Sequence, residues 1–312
     1  MDWIPPMEPV VSTKLVKKEG WIHQIKWDGI RGLSYIDHGQ LKLFTKKGFE
    51  RTAYYPELQE LIKLFKGTSG ILDGELIVFD DTDNPSFYRS LIRERIRTES
   101  KILHHARKAH VKYIVFDILN FNGIDIRQND LMSRKELLMK NLTKSGNITI
   151  TDDFNDGESL YQLMKTKGWE GIVSKNMNSS YVAGKKHTAW YKTKISKKLL
   201  AVVGGIQWKN NFPNALLFGI YQEDSLYYIG KASLGLKQKD FMLLKEYSKE
   251  LTSINSPFKD VTKLQDVTWI KPSLTCWISF LEWTSSGHLR HPKILGFHGH
   301  LPQDANGKEF TE

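Results

Sequence analysis

Short apolar stretches alternate with polar turns along the first two-thirds of the chain. Residues 21–26, 32–37 and 40–45 read as consecutive strands, separated by the turn pairs Asp28-Gly29 and His38-Gly39. Leu58, Leu61, Ile62 and Phe65 recur at helical spacing and predict an amphipathic helix over residues 56–66. Residues 71–79 and 111–119 are dense in β-branched and apolar side chains, as buried strands are. Ser133-Arg134-Lys135-Glu136 reads as a capping box ahead of Leu137, Leu138 and Leu142. Asp156 opens another helix with Leu160, Leu163 and Met164 inward, and strands at 171–174 and 190–194 complete the region.

After a basic, apolar-poor junction at residues 192–198 the pattern changes. Strands are predicted at 200–207, 215–221, 226–231 and 276–283, with one helix near 240–250. Several strands and a single helix suit a small β-barrel, and the OB-fold is its nucleic-acid-binding version. The boundary falls near Ser196, giving an α+β domain over residues 1–195 and a β-barrel domain over 196–312. Trp208 and the following Lys209-Asn210-Asn211 look like an OB loop.

Composition then narrows the function. Lys and Arg exceed Asp and Glu by 45 − 35 = 10, which favours a polyanionic partner. No apolar run approaches the ~18 residues needed to span a bilayer. The opening Met1-Asp2-Trp3-Ile4-Pro5-Pro6 lacks the layout of a signal peptide. A single cysteine, Cys276, excludes a disulfide scaffold and any four-cysteine zinc site. A soluble, intracellular, monomeric protein without membrane contact is expected.

Candidate chemistry lies in ordered clusters. Lys26-Trp27-Asp28-Gly29-Ile30-Arg31 places a lysine at a strand end, a glycine that lets the chain bend, and an arginine whose planar fork suits phosphate oxygens. A lysine attacks only when neutral, so such a role needs a pocket that lowers its pKa from about 10.4. Asp73-Gly74-Glu75-Leu76 sets two carboxylates inside an apolar strand, a costly arrangement unless they bind something. Glu170 stands directly before another apolar strand, so Glu75 and Glu170 could share one divalent cation. Lys192 and Lys194, two apart, share a strand face that calls for an anion. Each cluster alone also fits solvated strand ends, and Phe116 alone fits a core position.

Together, in this order and spacing, the clusters resemble the motifs of the covalent nucleotidyltransferases, which comprise ATP-dependent DNA ligases, RNA ligases and mRNA capping enzymes. Lys26–Arg31 is similar to motif I, 45–48 loosely to motif Ia, and 73–76 to motif III. Residues 115–117 are similar to motif IIIa, 170–173 to motif IV and 192–194 to motif V. Residues 228–231, 282–284 and 289–292 are similar to the C-terminal OB domain of bacterial end-joining ATP-dependent DNA ligases.

The resemblance implies a nucleotidyltransferase (ATP-grasp-like) adenylation domain followed by an OB-fold domain. Lys26 would attack the α-phosphate of ATP. Gln24, Arg31, Lys46, Glu75, Phe116, Lys192 and Lys194 would bind the nucleotide, and Glu75 and Glu170 would hold Mg2+ or Mn2+. Duplex DNA with nicks or ends is the implied partner, with a DNA end-binding protein where breaks are joined. The implied location is the bacterial nucleoid, or the host cell for a phage-encoded enzyme. Three positions depart from the family: Gln24 replaces a glutamate that accepts from the adenine amino group, and Lys46 and His298 each replace an arginine. Arg89, Arg93, Arg97, Lys197, Lys198 and Arg290 are candidate DNA contacts, since the first predicted strand at Trp21 leaves no room for a preceding DNA-binding domain. The alternatives are an RNA ligase and a non-catalytic DNA-binding module on a ligase scaffold.

Overall fold

The chain divides into two compact units, Met1–Lys194 and Ile195–Glu312. The computed structural model describes residues 2–311 apart from 109, 262, 263 and 285. Among these, the first unit carries in chain order β1 (Glu8–Val11), β2 (Trp21–Ile25), β3 (Ile30–Asp37), β4 (Gln40–Thr45), α1 (Leu61–Leu64), β5 (Ser69–Ile77), α2 (Phe87–Arg95), α3 (Glu99–Lys108), β6 (Lys112–Phe121), β7 (Ile124–Asp125), α4 (Leu131–Asn141), β8 (Ile148–Ile150), α5 (Gly157–Lys167), β9 (Gly171–Asn176) and β10 (Lys186–Lys194). They build two sheets. One has the order β4-β3-β5-β6-β7 with β8 parallel to β6; the other has the order β1-β10-β9-β2.

The two predicted turns behave differently. His38 and Gly39, both at positive φ (44° and 78°), close a two-residue hairpin between β3 and β4. Asp28-Gly29 closes none: β2 pairs with β9, while β3 pairs with β4 and β5. The Lys26–Arg31 segment is therefore the crossover that carries the chain from one sheet to the other.

Strand β5 shows how two faces are made from one alternation. Leu72 and Leu76 pack with Leu41, Leu43, Tyr113, Val115 and Leu138. The opposite face packs Ile71 with Met7, Leu33, Phe116 and Trp190. Asp73 and Glu75 share the Ile71 face by the period of two, so they point toward the second sheet. On β6 the pairing runs from Asp73↔Asp117 to Gly74↔Val115, which leaves Phe116 as the extra residue of a bulge. That slip turns the Phe116 ring into the same layer.

Three expectations need correction. The helix over 56–66 is a 3₁₀ segment (Pro56–Glu60) followed by the single turn of α1. Phe65 turns extended to bridge Leu142, ending the helix, although Leu58, Leu61 and Phe65 are buried as their spacing requires. α4 is capped by Asp130, whose carboxylate accepts from Ser133 N at 2.9 Å, so Ser133 lies in the first turn. The chain's first strand is β1, edging the second sheet well before Trp21.

The second unit holds β11 (Lys197–Lys209), β12 (Phe212–Gln222), β13 (Ser225–Ala232), α6 (Gln238–Leu251), β14 (Val267–Phe280), β15 (Lys293–His298) and β16 (Glu309–Thr311). Its sheet runs β13-β12-β11-β14-β15, with β16 also on β11. Backbone bonds from Leu289 N to Ile229 O and from Ile294 N to Leu234 O link the two ends of this sheet. No strand ladder closes it among the described residues, so the expected closed barrel is not formed there. Asn210 and Asn211, both at positive φ, make a tight β11–β12 turn at the position read as an OB loop. Trp208 packs against the core and donates to Thr268 Oγ1 at 2.9 Å. No helix among the described residues is long and apolar enough to cross a membrane.

Candidate active site

A cleft opens where the two sheets of the first unit meet. Its first wall is ordered by strand register. Gln24 pairs across to Val173, and Val173 to Lys192, forming one row. In the next row Lys26 N donates to Gly171 O at 2.9 Å, and Lys194 pairs with Gly171 from the other side. Glu170 precedes that glycine and reaches both amines: Oε2 lies 2.5 Å from Lys26 Nζ and Oε1 2.7 Å from Lys194 Nζ. Burial alone would raise the Glu170 pKa, but Lys26 and Lys194 outweigh it and hold the carboxyl below its ordinary value.

Two glycines allow this approach. At Gly171 (φ +134°) a Cβ would stand 2.2 Å from Thr193 O. At Gly29 a Cβ would stand 2.2 Å from Leu76 O and 2.6 Å from Ile77 Cγ2. The motif glycine thus lets the crossover lie against β5, and the chain bends at it as expected, without a positive φ.

The second wall centres on Asp73, which is fully buried. It accepts from Arg31 Nε at 2.5 Å, from Arg31 Nη2 at 2.6 Å and from Tyr181 Oη at 2.6 Å. The Arg31 guanidinium lies 4.5 Å from the centre of the Phe116 ring, and Asp73 keeps it charged against the pull of burial. Lys175 is buried with its Nζ 4.4 Å from the Phe116 ring centre and 4.1 Å from that of Trp190, and has no hydrogen-bond partner among the described residues. Burial presses its pKa down to about 7.

Glu75 has no hydrogen bond or ion pair among the described residues, and burial pushes its pKa up to about 7. Lys26 and Arg31 oppose that rise, while Glu170 and Asp28 add to it. Lys192 is shifted down, first by burial and then by its neighbours Lys26 and Lys194. The cleft is lined by cations that lack enough carboxylates of their own, an arrangement suited to a polyphosphate.

Of the residues singled out from the sequence, Gln24, Lys26, Arg31, Lys46, Glu75, Phe116 and Lys192 line this cleft. Glu170 and Lys194 join it through Lys26. Lys46 is held by Glu8 of β1 at 2.6 Å. Sequence reasoning missed Lys175 and Trp190, which also line the cleft. Lys175 was within reach of the pattern, since it shares a strand face with Val173 in the stretch after Glu170. Among the described residues no group of three His, Cys, Asp or Glu side chains is gathered as a metal cage.

The candidate DNA contacts are not among the residues that line this cleft. Arg89 pairs with Asp81 at 2.5 Å, and Arg97 is exposed and stacks on Tyr54. Arg93 is a correction: it is 1% exposed, donates to Glu57 at 3.0 Å and stacks on Tyr55, so it faces the core. It sits on the inward side of α2, which the basic composition of that helix concealed. In the second unit Lys197 pairs with Glu309 at 2.8 Å, Lys198 lies over Trp277, and Arg290 pairs with Glu282 at 2.6 Å.

Comparison with known proteins places this geometry in a family. The family model described as ATP dependent DNA ligase domain matches residues 7–194, and that described as ATP dependent DNA ligase C terminal region matches residues 209–299. The chain belongs to the ATP-dependent DNA ligase family. The chain is 29% identical over 305 residues to the multifunctional non-homologous end joining protein LigD of Mycolicibacterium smegmatis, covering 95% of this chain and 38% of that protein. It is 27% identical to DNA ligase 2 of Methanosarcina mazei, covering 86% of this chain and 50% of the relative. The chain thus spans little more than a third of the LigD proteins it matches. Among solved structures, the ligase domain of M. tuberculosis LigD is 27% identical with a TM-score of 0.54, covering 97% of both chains. A mycobacterial DNA ligase D complexed with ATP and MES matches equally well. A Lig E DNA ligase, at 15% identity and a TM-score of 0.62, covers 94% of this chain and 99% of its own, and shares the fold.

Proposed function

We propose that this ligase seals 5′-phosphate and 3′-hydroxyl ends in duplex DNA through a lysyl-AMP on Lys26 and then a DNA-adenylate. The observation that carries the reading is the position of Lys26 Nζ, 18% exposed in the cleft and 2.5 Å from Glu170 Oε2. The amine must shed a proton before it attacks, and Glu170 is the nearest acceptor. Attack on the α-phosphate forms the N–P bond and releases pyrophosphate. Lys192, Lys194 and Arg31 supply positive charge where the phosphoryl oxygens gain negative charge. The DNA 5′-phosphate then displaces the lysine, and the 3′-hydroxyl finally displaces AMP.

Phe116 offers a ring to the base, with Gln24 at its edge and Lys46 toward the phosphates. Glu75, half-buried and without a hydrogen bond or ion pair among the described residues, suits a hard cation that keeps most of its shell as water and phosphate oxygens. Glu75 and Glu170 would hold Mg2+ or Mn2+, which would neutralise charge on the phosphates. The first unit, to residue 195, would serve as the adenylation domain. The second, from 196, would be an OB-type domain that follows the DNA with Lys197, Lys198 and Arg290, with Arg89 and Arg97 adding contacts from the first. The family relatives named for end joining favour broken ends, met with an end-binding protein, beside nicks.

The test is incubation with α-labelled ATP and Mg2+ or Mn2+. An acid-labile label should appear on the chain, and a nicked all-DNA duplex should be sealed. Absence of label with either metal overturns the proposal; sealing restricted to an RNA-containing nick would make the protein an RNA ligase.

A further inference from the structure

Gln24 stands where an amide can face either way, and the structure holds it one way. Its side chain is 2% exposed, and Nε2 donates to Asp153 Oδ1 at 2.7 Å. Asp153 follows β8 and is itself anchored by Lys135 of α4, whose Nζ reaches the same Oδ1 at 2.5 Å. Lys135 is 1% exposed and also donates to Thr151 O at 3.4 Å. A carboxylate gripped by a buried ammonium accepts hydrogen bonds, so it takes the NH2 side of the amide. Gln24 Oε1 has no partner among the described residues and remains as an acceptor in the cleft.

We infer that Asp153 and Lys135 are positioning residues that set the Gln24 carboxamide with its oxygen toward the base, and so select a 6-amino purine over a 6-oxo purine. The inference rests on the proposed nucleotide site. A 6-amino group donates to that oxygen, whereas a 6-oxo group would set two acceptors against each other. An amide, unlike a carboxylate, loses this preference when it turns over, so glutamine at position 24 needs an anchor. Asp153 supplies one.

The experiment measures the ATP-to-GTP ratio both by equilibrium binding and by self-labelling. D153L removes the acceptor and frees Lys135 to donate to Gln24 Oε1, which turns the NH2 toward the base. The ratio should fall at least about 10-fold, the worth of one hydrogen bond. D153L/K135M, in which apolar side chains replace the buried ammonium and its partly exposed carboxylate partner, should show the same loss and guards against misfolding of the single variant. Q24E/D153L should restore the preference for ATP, because both carboxylate oxygens accept. A wild-type ratio in D153L or D153L/K135M, or no recovery in Q24E/D153L, overturns the inference. Wild-type protein that prefers ATP in binding but takes no label would instead defeat the Lys26 reading and leave this test intact; no purine binding at all would defeat both.

Discussion

Lys26 Nζ lies 2.5 Å from Glu170 Oε2. The contact fixes the end of a long side chain that would otherwise sample many rotamers, and it ties the crossover between the two sheets to the start of β9. Lys194, on the other oxygen of Glu170, is fixed by the same group. One carboxylate therefore orders two amines around the point where a phosphate is expected.

Lys26→Arg keeps the charge and the pairing with Glu170 but cannot supply a neutral amine, since guanidinium stays protonated. Self-adenylation should be abolished. Sealing of a nick already carrying a 5′-adenylate should survive in part, because that step bypasses the lysine. ATP-dependent sealing by this variant at an ordinary rate would refute the assignment.

Glu170→Gln removes the anchor of both amines. Self-adenylation should fall about 100-fold, the scale of a 1 Å misplacement of a reacting group. Nick binding should change little. A loss confined to nick binding, measured by gel shift, would show that Glu170 serves DNA instead.

Glu75 carries a pH signature. Its folded pKa of about 7 lies above the ordinary carboxylate value near 4.5, so the folded state binds the extra proton. Stability from this group is full below pH 4.5 and is lost as pH rises through 7. Glu75→Gln should therefore stabilise the protein at pH 8, by roughly 1–3 kcal/mol, and leave it unchanged near pH 4.5. Activity should fall in the same variant. Lys175 has the opposite sign: its folded pKa of about 7, below 10.5, costs stability under pH 7 and ceases to do so as pH rises to 10.5. Lys175→Met should stabilise most at acidic pH. Denaturant titrations across this range check both signs.

Arg93→Ala leaves Glu57, 7% exposed, without its cation. Unfolding free energy should drop by about 3 kcal/mol, the usual cost of breaking a buried pair from one side. The salt dependence of DNA binding should stay as in the wild type. A shallower salt slope with unchanged stability would return Arg93 to the DNA surface.

Lys197→Ala combined with Lys198→Ala should lower the log–log salt slope of nick binding by up to about 1.8, near 0.9 for each phosphate that is no longer neutralised. Self-adenylation should be unaffected. Because Lys197 is paired with Glu309, Glu309→Gln should tighten nick binding at low salt. Equal loss of adenylation in the double variant would place these lysines in service of the nucleotide or the fold.

Much was legible along the chain because the chemistry sits at strand ends, and period two fixes which neighbours share a face. Lys192 with Lys194, Asp73 with Glu75, and the order of the motifs needed only spacing. Periodicity likewise located the hairpin at His38-Gly39 and the buried Leu160 and Met164 of α5, but Leu163, expected inward with them, is 45% exposed because it lies at the edge of the helix's narrow buried stripe. What spacing could not supply is partner choice between segments distant in the chain. The bulge that turns Phe116 toward the cleft depends on β5 pairing with β6. Whether Asp73 meets a metal or Arg31 depends on β3 lying beside β5. Arg93 reads as one more surface cation until Glu57 and Tyr55 close over it. Lys175 reads as a strand lysine until two aromatic rings exclude its water. Residue type and interval determine which face a side chain takes; burial and charge pairing, which decide its protonation and its role, exist only once the sheets have met.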